Sequence, residues 1–392
     1  MDKVFRVELS GGNRRYCQLD LPATNYEMLD ALERLQLKPG DKPDWEIIEH
    51  TGFQFLHVHL NGECDLYQLN ALATRLGQMT SSDKIAFEGL FNMEVAKKYG
   101  PISIATMVDL AYSTDCCHVV EGVTTDAQLG EFYAENGFMP ELDALPDGVF
   151  ELLDFDKLGE KMRIEDGGIL VNRGYVAQHA DLKQVYDTLT IVPQTPDYAF
   201  RLLIGRYPFE TNEHPEKQVA LELPATPDEL ADALNACGAA SWDEVVFQTE
   251  DSAVPHILEE LDSDSIEEIN ELAQAIQYRA KRSELTKLKA VLHASDCHSI
   301  HTATYIAENL DDYLYEPDQR TAEEVASEEL RFIVDEQSLS TLKKHVNLFN
   351  YGMDVIKENN AAMTPYGLVQ RRDGKLLQTI DETPSQGGMQ MQ

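Results

Sequence analysis

The sequence predicts an α+β protein made of several small subdomains and written twice. Three observations predict this. Short alternating apolar runs are interleaved with amphipathic helical ones, as in KVFRVELS and YCQLDLPAT followed by TNYEMLDALERL. The order returns in the second half, where LELPATPDELADAL (221–234) mirrors LDLPATNYEMLDAL (19–32). A hydrophobic content of 43% in 392 residues gives material for real cores, in spite of a net charge of −37.

Taken in order, residues 3–10 alternate as a half-buried strand, and YCQLDLPAT follows as another. Thr24 to Leu35 reads as a helix with Met28, Leu29, Leu32 and Leu35 on one side. WEIIEH and FQFLHVHL are expected as further strands, LNALATRL as an amphipathic helix on Leu69, Leu72, Ala73 and Leu76, and DKIAFEGLF after it. In TTDAQLGEFYAENG, Thr125 and Gln128 form a capping box, Leu129, Phe132 and Tyr133 make an apolar face, and Asn136-Gly137 stops the helix. The second half repeats the series with YAFRLLIG, EVVFQTED and INELAQAI, the last placing Ile269, Leu272, Ala273 and Ile276 at the same helical positions. SIATMVDLAYSTD matches SIHTATYIAENLDD, and GYVAQHAD matches YGLVQRRD with Gln178 over Gln370 and Asp181 over Asp373. The expected halves are 1–195, with subdomains near 1–66, 67–120 and 121–195, and 196–392, joined through IVPQTPD (191–197). The end, about 381–392, is expected to be a disordered tail.

Charge sets the functional classes. With 32 basic and 69 acidic residues, the chain repels phosphates and anionic membrane and attracts basic surfaces. Direct binding to nucleic acid needs a basic patch, and none is evident. The acidity lies in folded stretches. Between Lys98 and Lys157 there is no Lys or Arg, while Asp109, Asp115, Glu121, Asp126, Glu131, Glu135, Glu141, Asp143, Asp147, Glu151, Asp154 and Asp156 all occur. A second cation-free stretch, Val219 to Tyr278, includes Glu259, Glu260, Asp262, Asp264, Glu267 and Glu268. Like charges one helical turn apart, as at Glu131 and Glu135, cost roughly 0.2–0.5 kcal/mol per pair. A segment that accepts this repeatedly is a solvated face or a surface for a positive partner. No run of about 18 apolar residues occurs, and MDKVFRVELSGG holds no signal-like run, so a soluble cytoplasmic protein is expected. The six cysteines are expected to be reduced thiols.

Catalytic patterns are weak. His293, Cys297, His298 and His301 in HASDCHSIH could share a helix face and hold zinc. The first half keeps no such pattern and no CxxC partner exists, so a structural role is preferred. Cys116, Cys117 and His118 raise a nucleophile, but the setting is acidic where a thiolate wants positive charge. DSDSIEEINE lacks the glycine and the terminal glutamate of a calcium loop, and Asp154 with Asp156 is a carboxylate pair that chance supplies in so acidic a chain. There is no P-loop, GxGxxG or GxSxG. No catalytic residue, cofactor or metal is expected.

The run DAQLGEFYAENGFMPELDALPDGVFELLDFDKLGEKMRIEDGGILVNRGYV (126–176) resembles the C-terminal part of ArdA-type antirestriction proteins. The likeness lies in an acidic helix ending in a glycine turn, the segment LLDFDKLG, and the strand opened by Gly174-Tyr175; LNALATRL and INELAQAI resemble a further helix of that family. The first half matches in order over most of its length, and the second more loosely, with NLFNYGMDVIKENN keeping the outline of LLDFDKLGEKMRIED. The N-terminal strands depart from the family's glycine-rich tyrosine pattern. The resemblance implies an elongated molecule whose carboxylates imitate the phosphates of B-form DNA. Such a molecule occupies the DNA cleft of type I restriction-modification enzymes, on their methyltransferase core, and protects incoming mobile DNA. Family members act as dimers, so a tandem chain is expected to work as a monomeric pseudo-dimer or as a homodimer. The competing expectations are an acidic adaptor or chaperone for basic proteins and, more remotely, a metal-dependent hydrolase.

Overall fold

The computed structural model describes residues 2–12, 15–60, 64–97, 100–139, 152–206, 218–261 and 265–378. The expected tail at 381–392 lies outside them. Contacts divide the chain into unit 1, residues 1–23 and 39–193, and unit 2, residues 24–38 and 194–392. The fold is α+β, with four three-stranded antiparallel sheets among the described residues. No described helix is long and apolar enough to cross a membrane.

Unit 1 opens with strands β1 (Phe5–Gly11) and β2 (Arg15–Leu21). Helix α1 (Asn25–Arg34) follows in sequence and belongs to unit 2. Strand β3 (Asp44–His50) then completes the sheet in the order β2-β1-β3, with alternate residues Phe5, Val7 and Leu9 buried. Next come α2 (His57–Leu60), α3 (Leu66–Leu76), α4 (Ser81–Lys97) and α5 (Ile104–Ala111). The last part holds β4 (Cys117–Glu121), α6 (Asp126–Glu135), α7 (Phe155–Asp166), β5 (Ile169–Val171) and β6 (Gly174–Gln178), with sheet order β4-β6-β5. A subdomain break at 120–121 would cut β4, which pairs along its length with β6.

One expected strand is a helix. FQFLHVHL folds into a short 3-10 turn over Gln54–Leu56 and then α2. Phe53, Leu56 and Leu60 are buried at helical spacing, while Val58, which alternation would have buried, is 76% exposed. Phe53 enters the turn with a left-handed φ of 51°, which ends any extended run.

Unit 2 carries the same series: β7 (Phe200–Arg206), β8 (Val219–Leu223), α8 (Pro227–Ala236), β9 (Val245–Ser252), α9 (Ile257–Glu260), α10 (Ile266–Lys281), α11 (Leu285–Ser295) and α12 (Ile300–Glu308). It continues with β10 (Tyr313–Glu316), α13 (Ala322–Ile333), α14 (Glu336–Leu342), α15 (Leu348–Glu358), β11 (Ala362–Thr364) and β12 (Gly367–Arg371). Its sheets run β8-β7-β9 and β10-β12-β11, the same orders as in unit 1. Finer details recur as well. Cis peptides precede Pro22 and Pro224. Asn70 on α3 and Asn270 on α10 each accept from and donate to the backbone of the alanine that follows that proline, Ala23 or Ala225. The strand register differs by one from the sequence match. Cys117 pairs with Gln178 and Tyr313 with Arg371, so Gln178 corresponds to Arg371 and not to Gln370.

The placement of α1 within unit 2 has a clear cause. Tyr26 and Leu29 join the main apolar core of that unit, and the Tyr26 hydroxyl donates to the Tyr198 carbonyl. Buried Asp30 meets the Lys289 ammonium at 2.9 Å, and Glu33 meets it at 2.9 Å. Arg320 donates to the Glu33 and Arg34 carbonyls, closing the helix end where the macrodipole is negative. A fragment starting at Gln194 lacks this helix. It is expected to lose roughly 3–6 kcal/mol from Tyr26 and Leu29 alone and to regain amide protection when a peptide of residues 24–38 is added. Equal protection with and without the peptide would show that α1 is dispensable.

Candidate functional site

The candidate carboxylates of unit 1 are presented mainly by α6 and α7. Thr125 caps α6, with its side chain accepting from the Gln128 amide and the Gln128 side chain accepting from the Thr125 amide. Asn136 and Gly137, the latter at φ 70°, end the helix as expected. Asp154 caps α7 by accepting from the Lys157 amide. The two helices cross where Gly130 meets Phe155 and Gly159 meets Asp126, backbone against backbone. Leu129 is fully buried beneath them with Tyr175 and Val123. The Tyr133 and Tyr175 hydroxyls both donate to Asp166 Oδ2, at 2.5 and 3.0 Å, tying α6, α7 and β6 together.

This framework sorts the acidic residues into two kinds. Four of those predicted to face a partner are engaged inside unit 1. Asp109 accepts from the Val185 and Tyr186 amides at 2.7 and 2.9 Å. Asp126 takes a two-pronged bond from Arg163, at 2.8 and 3.0 Å, which holds its carboxyl below the usual range. Asp115 pairs with Lys183 at 2.7 Å, and Asp154 with Lys157 at 2.8 Å; both carboxyls are held down by these hydrogen bonds. For Asp115 and Asp126 the fold therefore supplies cations that the local sequence lacks. Glu121, Glu131, Glu135 and Asp156 are exposed, and among the described residues none of them pairs with a cation. Glu131 and Glu135 stand one turn apart on α6. Glu141, Asp143, Asp147 and Glu151 lie outside the described residues.

In unit 2, Glu259 sits 3.1 Å from His256, Glu260 is exposed, and Glu267 accepts from the Ser265 hydroxyl. Glu268 is half-buried, 3.6 Å from His301. Asp262 and Asp264 lie outside the described residues. Helix α8 adds Asp228 and Asp232, part of the second cation-free stretch but not among the carboxylates expected to face a partner, exposed one turn apart. The signal was available: α1 carries Tyr26 and Asp30 at the matching positions and buries both, whereas α8 has no large apolar residue there to bury.

The candidate catalytic groups do not converge. Helix α11 ends at Ser295, Asp296 turns left-handed at φ 49°, and α12 starts at Ile300, so HASDCHSIH is not one helix face. Cys297 is buried and donates to the Ser299 carbonyl, while His298 and His301 are exposed. Among the described residues no group of three or more metal-ligating side chains is found. Burial, reinforced by Cys116 and Asp115, pushes the Cys117 thiol up to about 12, which leaves it protonated at neutral pH. Cys116 donates to the Asp181 carbonyl at 3.3 Å.

Against this geometry, no protein-family model matches the chain and no curated protein matches it.

Proposed function

We propose that the chain is an ArdA-like DNA mimic that inhibits type I restriction-modification enzymes, its carboxylates taking the place of duplex phosphates on the methyltransferase core. The observation that carries this reading is the set of exposed carboxylates with no cation partner among the described residues, Glu131 and Glu135 on α6 and Asp156 on α7, held on helices fixed by a close crossing. Duplex DNA presents one charge per ≈ 1.7 Å of its axis. Carboxylates one turn apart, roughly 5–6 Å between Cβ atoms, can follow one phosphate strand. A folded mimic also avoids the several kcal/mol that bending DNA costs. The corresponding positions of α13 and α15 hold Ser327, Arg331 and Phe349, so this face belongs to unit 1, and only the repeated series of elements supports a monomer acting as a pseudo-dimer.

The test is competition between this protein and a DNA duplex for a purified type I methyltransferase core at several salt concentrations. Displacement near equal stoichiometry that weakens steeply with salt is expected. Failure to displace DNA would leave an acidic adaptor for basic proteins as the better reading. Charge replacement refines the test. Glu121, Glu131, Glu135 and Asp156 changed singly to Gln or Asn should each weaken inhibition less than about tenfold, and together more than about a hundredfold, because many contacts share the work. Complete loss from one of them would indicate a discrete hot spot.

A further inference from the structure

We propose that α2 of unit 1 is an acid-sensitive clasp, held on two sides by histidine ring nitrogens acting as hydrogen-bond acceptors. Two of its four residues are histidines. His57 Nδ1 lies 3.1 Å from Nε2 of His50, the last residue of β3. One of these nitrogens carries the proton between them, and the surroundings decide which. His50 Nδ1 is buried without a partner. A proton placed there would be a buried donor with nothing to receive it, whereas a proton on Nε2 is satisfied by His57. His57 is therefore the acceptor. His59 acts in the same way: its Nδ1 accepts from the Ile102 amide at 3.2 Å, and its ring stands edge-on to Phe91 at 5.0 Å.

Protonating either ring of α2 turns its acceptor into a donor and breaks the contact. For His57 the effect is doubled, because His50 would then have to move its own proton to the buried Nδ1. The groups facing the clasp do not offset this. Phe5 of β1 packs edge-on against His50 at 5.4 Å, and Phe91 comes from α4. Among the described residues no carboxylate forms an ion pair with His50, His57 or His59. Burial, then His57, lowers the His50 affinity for protons below its ordinary value. The closed clasp is thus fully stable above a pH of about 6.5, where the open chain is also neutral, and weakens as pH falls below it. The corresponding helix of unit 2, α9, has its histidine, His256, at the N-cap, where it meets the Glu259 carboxylate and not an amide or a second ring, so the acceptor device belongs to unit 1.

The experiment uses the full chain. Long-range proton–nitrogen NMR should find His50 protonated on Nε2, and His57 and His59 bare at Nδ1, at pH about 7.5. Amide exchange over residues 51–60, corrected for intrinsic rate, should lose at least about tenfold in protection between pH about 7.5 and about 5, while residues 322–333 of unit 2, a helix without histidine, change little. In the double variant His57→Asn and His59→Asn, each Asn oxygen can accept in place of Nδ1 without titrating, so the pH dependence should vanish. A hydrogen on Nδ1 of His57 or His59 at neutral pH, or protection over 51–60 that ignores pH, would overturn the proposal. So would a double variant that holds α2 at neutral pH yet loses protection on acidification as the natural chain does. The tautomers of the natural chain decide the matter even where the variant fails to hold α2.

Discussion

Replacing Lys289 by methionine is expected to destabilise unit 2 by about 3 kcal/mol or more. The Lys289 side chain is 1% exposed, and its ammonium joins Asp30, whose side chain is 6% exposed, and Glu33. Methionine preserves the apolar stem but leaves the Asp30 carboxylate buried with, among the described residues, Arg34 at 2.8 Å and the Tyr366 hydroxyl at 2.8 Å. Breaking one side of a buried pair costs more than the pair contributes, because the remaining charge has already lost its water. For a unit of about 200 residues, 3 kcal/mol corresponds to a fall in Tm of roughly 6–12 °C. The protection of α1 and α11 amides should fall together, since Lys289 is the point at which they meet. Adding Asp30→Asn to Lys289→Met removes a buried carboxylate that has lost one of its two cations, so the double variant should lose less than the sum of the two single losses. Strict additivity, or a loss within about 0.5 kcal/mol for Lys289→Met, would show that the cluster is effectively solvated.

That cluster also shows where the sequence stops speaking. Local signals were legible: the Thr125 capping box, the glycine stop at 137 and the alternating strands β1 and β7 all form from residues a few positions apart. The recurrence of these signals made the repeated series readable without structure. The membership of α1 in unit 2 was not, since Asp30 and Lys289 are 259 positions apart and either alone reads as a surface charge. The same limit applies to the acidic face. A cation-free stretch looked uniformly unpaired, yet Arg163 returns to Asp126 and Lys183 to Asp115 through the fold. Helix α2 was misread for a different reason. Phe53, Phe55, His57 and His59 alternate, and only the burial of Leu56 and Leu60 reveals the helical period.

Changing Gly159 to valine, with no change in net charge, is expected to abolish the folded α6–α7 pair. A Cβ at 159 would lie 1.8 Å from the Asp126 carbonyl oxygen and 2.8 Å from the Gly130 nitrogen, both of them backbone atoms. At Gly130 a Cβ would lie 2.1 Å from the Phe155 oxygen. Overpacking against side chains costs typically 1–3 kcal/mol, and backbone yields less readily, so the loss here should exceed about 3 kcal/mol. Unit 2 repeats the device, with Gly352 of α15 against the Ala322 carbonyl of α13, and Gly352→Val should act there in the same way. Separating α6 from α7 also breaks the Asp126–Arg163 pair and the Tyr133–Asp166 bond. Glu131 and Glu135 would then remain charged but lose their fixed spacing from Asp156. This distinguishes imitation of DNA from general acidity. If inhibition depends on a phosphate-like array, Gly159→Val should lose it along with amide protection in α6. Should inhibition survive while α6 exchanges freely, charge alone is sufficient, and the protein is better read as an acidic partner of basic surfaces.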